Sequence, residues 1–333
     1  MIPTNHLTRS AKYFAILAVT LTILGSSLDF ASRIEAASLT VTTVEDELNE
    51  DGDCSLREAI IAANTDTAID ACIAGNDADT IQLGADTYEL TLTGNDENAA
   101  ATGDLDITDD LTIQGQSAET TIIDANSIDR VIDIRGVPNV ALSGVTIRDG
   151  SAEGGGGIFN QDGTLTLSDV IVFFNLASSG GGVFNANGTI YIQNTEIVSN
   201  GGDDAAGFIN RGSAFIENSE VTGNSGFAGG GIQNDGTLTI NNSSISGNTS
   251  AVTYGGIHNT RTGNLTVTNS TIRGNSSESG TGILNEGTTT ISDTIIQDNE
   301  AAGGASGAED AIGSGIYNLG TMTVYGSTIS GNR

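Results

Sequence analysis

Residues 164–175 read TLTLSDVIVFFN, residues 189–200 read TIYIQNTEIVSN and residues 237–248 read TLTINNSSISGN. Each segment is twelve residues long, opens on Thr, closes on Asn and alternates apolar with polar residues about its fourth place. The same pattern occurs nine times, starting at residues 110, 139, 164, 189, 213, 237, 264, 288 and 321. The fourth place reads Ile113, Leu142, Leu167, Ile192, Ile216, Ile240, Val267, Ile291 and Val324. The ninth, from the second copy on, reads Ile147, Val172, Ile197, Val221, Ile245, Ile272, Ile296 and Ile329. Between copies runs Gly-Gly-(Ile/Val/Phe)-x-Asn, which adds a third column: Ile158, Val183, Phe208, Ile232, Ile257, Ile283 and Ile316. Period-two alternation of β-branched residues specifies strands, and no 3.6-residue or heptad period competes. A repeat of about 25 residues holding three short strands is one coil of a solenoid. The fold class is therefore all-β, a right-handed parallel β-helix. It requires Ile192, Ile216 and Ile240 to sit one above another.

Two Asn columns recur at fixed bends. One runs Asn175, Asn200, Asn224, Asn248, Asn275, Asn299 and Asn332; the other runs Asn160, Asn185, Asn210, Asn234, Asn259, Asn285 and Asn318. Asn bonds its own turn, and stacked Asn amides can satisfy one another where burial would strand them. These columns are read as structural. The Gly before each apolar residue of the third column, such as Gly182, marks a corner with no room for Cβ.

Composition bounds the function. The chain has 333 residues with 11 basic against 42 acidic, a formal charge of -31, 45 Gly, 2 Pro, 2 Cys and no Trp. No basic face for nucleic acid can be built from this, and Gly without Pro excludes collagen. Residues 1–37 read as a signal peptide: Arg9 and Lys12, then an apolar run from Tyr13 to Gly25, then small residues up to Ala36 and Ala37. An apolar run of that length falls short of the ~20 residues of a spanning helix, so the mature chain has no spanning membrane segment. Cleavage would remove Lys12, the one lysine, and leave 8 Arg, 40 acids and a single histidine, His258. General acid–base chemistry most often recruits His, so catalysis here would have to run on carboxylates. Such a surface repels anionic polymers such as pectate and attracts divalent cations.

The segment after the signal carries Ser38 to Thr42 as an alternating strand and then the string CSLREAIIAAN at 54–64. Ser55 followed by Glu58 is a capping box, and Leu56, Ile60 and Ala63 share a face, which predicts a helix. Cys54 and Cys72 are the two cysteines of an exported chain, so a structural disulfide is expected between them. This string, ahead of Gly- and Asn-rich repeats, resembles the CSLREA domain. The resemblance implies a right-handed parallel β-helix in a bacterial surface or secreted protein, without implying an activity. The repeats are also similar to those of the chlamydial polymorphic outer-membrane proteins, with GGGI, GGGV and I-x-x-N standing for that family's GGAI and FxxN elements. The organisation expected is a signal peptide at 1–37, an N-terminal helical, disulfide-closed cap with first strands at 38–109, and coils at 110–333.

Residues 47–58, from Glu47 to Glu58, also match the oxygen spacing of an EF-hand calcium loop, except that Glu stands at the first position. The capping box already accounts for Glu58, so no metal ligand is assigned. An insertion around Ala301 to Ile312, rich in Gly, Ala and Ser, predicts a loop before the last coil.

Two functions compete. Right-handed β-helices often carry polysaccharide lyases and hydrolases, and here the carboxylate candidates are Asp203-Asp204, in a turn near Arg211, and Asp109-Asp110. Neither pair lies beside a His or Lys in sequence. His258 falls in a column with Phe159, Phe184, Ile209, Gln233, Leu284 and Tyr317, a stacking position. The other function is a secreted or cell-surface module, structural or adhesive. Its outward Thr ladder (Thr164/Thr166, Thr237/Thr239, Thr288/Thr290, Thr321/Thr323) is interrupted by Tyr191, Phe215 and Asn264. Outward aromatics such as Tyr191, Phe215 and Tyr325 suit stacking on sugar rings. This second function is preferred, with an extracellular glycan or another surface protein as partner and no cofactor.

Overall fold

A computed structural model describes residues 36–94, 97–301 and 313–333; residues 1–35 of the expected signal peptide and 302–312 of the expected insertion lie outside the described residues. The twelve-residue pattern folds into two strands joined by a left-handed residue. In one coil, Thr164–Ser168 forms the first strand and Ile171–Phe173 the second. Asp169 turns the corner at φ 57°, and Asn194, Asn218, Asn242, Asn269 and Asp293 repeat it at φ 48–50°. Asn and Asp tolerate this region better than other side chains, which explains their hold on the sixth place.

Stacking the coils produces four parallel sheets. Sheet A has eleven strands, from Ser38–Thr40 through Asp79–Gln82 and Leu111–Gln114 to Thr321–Tyr325. Sheet B, following A in each coil, has ten strands from Thr87–Glu89 to Thr328–Ser330. Sheet D has nine, from Leu105–Ile107 to Ile316–Asn318, the last seven formed by the Gly-Gly-Ile-x-Asn segments. Between B and D lies sheet C, seven short strands from Ser151–Gly154 to Glu300–Ala301. Three strands per coil were expected; sheet C is a fourth, made of two- to four-residue strands in Gly/Ser-rich sequence that carry no period of their own. Sheet A also runs without a break across residue 109, with Asp79–Gln82 paired to Leu111–Gln114.

Register is in step with the repeat. Ile192 pairs with Ile216 and Ile216 with Ile240, all buried. Both Asn columns are buried amide ladders: Asn175 to Asn200 at 3.0 Å, Asn200 to Asn224 at 3.0 Å, and Asn185 to Asn210 and Asn210 to Asn234 at 2.8 Å. In the first ladder each Oδ1 also accepts the backbone N–H of the Asn one coil earlier, as Asn200 does from Asn175 at 2.9 Å. A Cβ on Gly182 would stand 2.6 Å from the Gly207 carbonyl oxygen, so that corner admits glycine alone.

The helix Leu56–Thr65 carries the expected capping box, and Cys54 and Cys72 are bonded with Cα atoms 4.9 Å apart. Closing a loop of this size contributes roughly 3 kcal/mol in the chain-entropy account. Among the described residues, no helix is long and apolar enough to cross a membrane.

Candidate functional site: a buried carboxylate–arginine cluster

Three aspartates that the sequence did not single out meet on the outer side of sheet D. Asp106 lies at the centre of Leu105–Ile107 and Asp133 at the centre of Ile132–Ile134, paired in register, with Asp104 one residue before the first strand. All three are buried, and one carboxyl oxygen from each lies within 4.8 Å of the others. Arg130 Nη1 bonds Asp104 Oδ2 at 2.8 Å and Asp133 Oδ2 at 2.5 Å. Arg135 reaches Asp133 Oδ2 at 2.7 Å and Asp106 Oδ1 at 3.1 Å. Arg130 also donates to the carbonyls of Gly154 and Gly155 and lies over the Phe159 ring, 5.1 Å from its centroid.

The helix sets this geometry. Arg57, fully buried, pairs with Asp46 at 2.6 Å and donates to the carbonyls of Ala100, Gly103 and Asp104. Asn64 donates to the Asp106 carbonyl at 2.8 Å and accepts from Thr108 N–H at 2.9 Å. The helical string thus fixes the strand that carries Asp106 from both of its ends.

Three carboxylates and two guanidinium groups leave one negative charge in excess. Burial pushes the Asp104 carboxyl up to about 7, with Arg130 opposing and Asp106 adding to the rise. Asp106 and Asp133 are also raised by burial, against backbone hydrogen bonding at Asp106 and against both arginines at Asp133. The cluster therefore holds a proton near neutrality, on Asp104 first. Asp104, Arg130 and Arg135 line a cavity of about 380 Å³, together with Glu97, Asp129 and Glu153. Asp133 Oδ1 is buried without a hydrogen-bond partner. The two guanidinium groups sit against the carboxylates where a cation would have to bind, so the cluster does not fit a metal centre and suits proton holding better.

The other candidates are placed differently. Asp203 and Asp204 end the strand Gly201–Asp204 of sheet C rather than occupying a turn, and both are exposed. Arg211 is not their ion-pair partner: it lies 3.6 Å from Asp235 and over the Phe184 ring at 4.7 Å. Asp110 accepts from the backbone and side chain of Asn139 in the next coil. His258 pairs in register with Gln233 and Leu284, as its column requires, and its ring lies 4.8 Å from that of Tyr254. Burial lowers its pKa, against Glu286 at 3.8 Å. In the acidic loop, Glu58 Oε2 accepts from Ser55 N–H and Oε1 from Asn49 N–H, so the last EF-hand position is taken up by the cap. Glu47, Asp51 and Asp53 do gather within 4.8 Å.

A hydroxyl ladder also escaped the sequence reading. Ser219 Oγ accepts from Thr195 N–H and Ser243 Oγ from Ser219 N–H, both at 3.1 Å. Ser270, Thr294 and Ser327 continue it, and each of these hydroxyls donates to the carbonyl two residues back. Its signal was the run of Ser and Thr at the seventh place of the repeat.

With this geometry in hand, the class of protein is an all-β parallel β-solenoid with, among the described residues, one short helix and a disulfide near the N-terminal end of the coils. A family model described as the right-handed β-helix region matches residues 180–333. Among solved structures, the chain is similar to the crystal structure of pectate lyase Pel9A, at 14% identity and TM-score 0.50, over 88% of this chain and 78% of that one. That likeness is one of fold. No curated protein matches the sequence.

Proposed function

We propose that this is a secreted or cell-surface protein of a bacterial envelope, structural or adhesive in character and without catalysis, that contacts uncharged glycans. The observation that carries this reading is an exposed aromatic stack set in a polar ladder. Tyr191 and Phe215 pair in register on the outer face of sheet A, 37% and 40% exposed, with rings 5.1 Å apart and 10° from parallel. Thr166 and Thr239 flank them one coil to either side. Aromatic rings held in water offer apolar area to the C–H face of a sugar, and a formal charge of -31 disfavours anionic chains. An array of neutral and anionic oligosaccharides tests this. Retention of neutral chains at unchanged length is expected; binding of none would leave a scaffold alone, and release of shortened products would establish an enzyme.

A second reading, a polysaccharide lyase or hydrolase, draws on the Asp104 carboxyl near 7 at the edge of the 380 Å³ cavity, beside Asp129 and Glu153. A general acid works best near ambient pH, and the fold neighbour is a pectate lyase. Under that reading, Asp104→Asn abolishes glycan cleavage in a folded protein, whereas Asp203→Asn with Asp204→Asn leaves it intact.

A further inference from the structure

Repeat architecture makes an exception visible, because every outward position has equivalents above and below. Around the corner from sheet B to sheet C, one coil presents Ile171, Phe173, Phe174 and Leu176. The coil before it has Thr146, Arg148, Asp149 and Ser151 in those places. Two coils later stand Glu220, Thr222, Gly223 and Ser225. From Asp149 on, the corner residue is left-handed in each described coil, and apart from Phe174 it is Asp, Ser or Gly: Asp149, Ser199, Gly223, Gly247, Gly274, Asp298 and Gly331. Phe174 adopts φ 59° with its side chain 56% exposed. A bulky residue in that region is strained, and the ring rests only against Phe173, centroids 5.4 Å apart, with more than half of its side chain left in water.

Leu176, 53% exposed, lies across the next coil, where a Cβ on Gly201 would stand 2.6 Å from Leu176 Cδ2. Beyond it opens a shallow cavity of about 250 Å³ lined by Leu176, Ser151, Ser178, Gly201, Gly202 and Asp203. One coil further, Phe227 N–H donates to the Gly202 carbonyl, and its side chain is 62% exposed. Leu176 thus borders a glycine-floored hollow with hydroxyl and carboxylate groups in its wall, and Phe174 stands two residues before it at the same corner.

We propose that this corner is a glycan site: an uncharged sugar ring lays its apolar face on Phe174 and Leu176, and its hydroxyls bond Ser178 and Asp203. The proposal rests on the glycan-binding reading above and gives it a location distinct from the Tyr191–Phe215 stack. Sugar chemistry matches both halves of the surface. A purely apolar partner would leave Ser178 and Asp203 desolvated without hydrogen bonds, and an anionic one would meet Asp203 and the charge of the whole chain.

The test uses the full chain and, in a Tyr191→Ser, Phe215→Ser background that silences the other stack, its Phe174→Gly and Leu176→Ser variants, with an array of neutral hexose and N-acetylhexosamine oligosaccharides beside oligogalacturonate. The wild type and the background are expected to bind neutral chains, and each variant to lose about tenfold or more in affinity relative to the background. Phe174→Gly should keep or raise the Tm, because Gly adopts the corner without strain. A Tm that falls instead marks Phe174 as a packing residue and overturns the site. Unchanged binding by both variants overturns it while sparing the glycan reading. No binding by the wild type overturns both.

Discussion

The outer column of sheet D is filled in two ways along the same helix. In the first coils it holds Asp106 and Asp133; from the next coil on it holds Phe159, Phe184, Ile209, Gln233, His258, Leu284 and Tyr317, each paired in register with the last. The later residues form a second, smaller core beneath the sheet C segments, with Phe184, Ile209, Ala205 and Tyr254 buried together. Sheet C begins only at Ser151. Before that point the column is covered otherwise: Ala100 N–H donates to Asp106 at 2.9 Å, and Arg130 and Arg135, which line the 380 Å³ cavity with Asp104, make ion pairs in place of apolar packing. The difference teaches that a solenoid position is defined by what lies over it as much as by its place in the repeat. Buried carboxylates are tolerated where guanidinium groups and backbone N–H pair them, and are too costly where only apolar side chains and backbone cover the position.

The largest effect should come from the region that supports the ionic end. Arg57→Met would leave Asp46 with only the N–H groups of Thr91 and Leu92 and remove the donor from three carbonyls, so urea denaturation should show a loss of about 3–5 kcal/mol. Reducing the Cys54–Cys72 bond should remove roughly 3 kcal/mol and act on the same end. In the regular coils, Asn210→Ala should cost about 1–3 kcal/mol by opening the amide ladder between Asn185 and Asn234. Equal losses for Arg57→Met and Asn210→Ala would erase the contrast between the two ends.

The pH dependence of the two ends should run in opposite senses. Asp104 binds its proton more tightly folded than unfolded, so its contribution is whole below the ordinary 3.8 and is lost as pH rises through about 7. Asp104→Asn should therefore shrink the drop in Tm between pH 5 and pH 8. His258, among the later residues, is lowered by burial; its contribution is present above 6.5 and is lost as pH falls through the folded value. His258→Phe should make the acid side flatter and leave the alkaline side as it was. The smallest effect is expected on the outer face of sheet A, where Thr239→Ser should change stability by no more than about 0.5 kcal/mol.

Sheets A, B and D were legible because their apolar residues are large, β-branched and spaced by the strand period, as Ile192, Ile216 and Ile240 illustrate. The Asn ladders were legible for a related reason: one residue type at a fixed place in successive coils has few causes. Sheet C was hidden because Gly201, Gly202 and Ser225 carry no apolar alternation, and their pairing is imposed by neighbours on either side. The ionic cluster was hidden by abundance. In a chain with 42 acids, Asp104, Asp106 and Asp133 look like turn residues. Their one distinguishing mark was Asp between two apolar residues, in Leu105-Asp106-Ile107 and Ile132-Asp133-Ile134, at the place that later coils give to Phe159 and Phe184. Arg57 was read only as part of a helix start, because the three carbonyls it bonds lie more than forty residues further along.

The in-register stack underlies every column compared above, and spin labels on outward threonines measure it directly. Labels at Thr166 and Thr290 are separated by five coil steps along sheet A. At ~4.8 Å per step, pulsed electron resonance should give a narrow distribution near about 24 Å plus the label arms. Moving the first label from Thr166 to Thr239 should shorten it by about 14 Å. A broad distribution, or a distance that does not change in proportion to the number of coils crossed, would contradict the account.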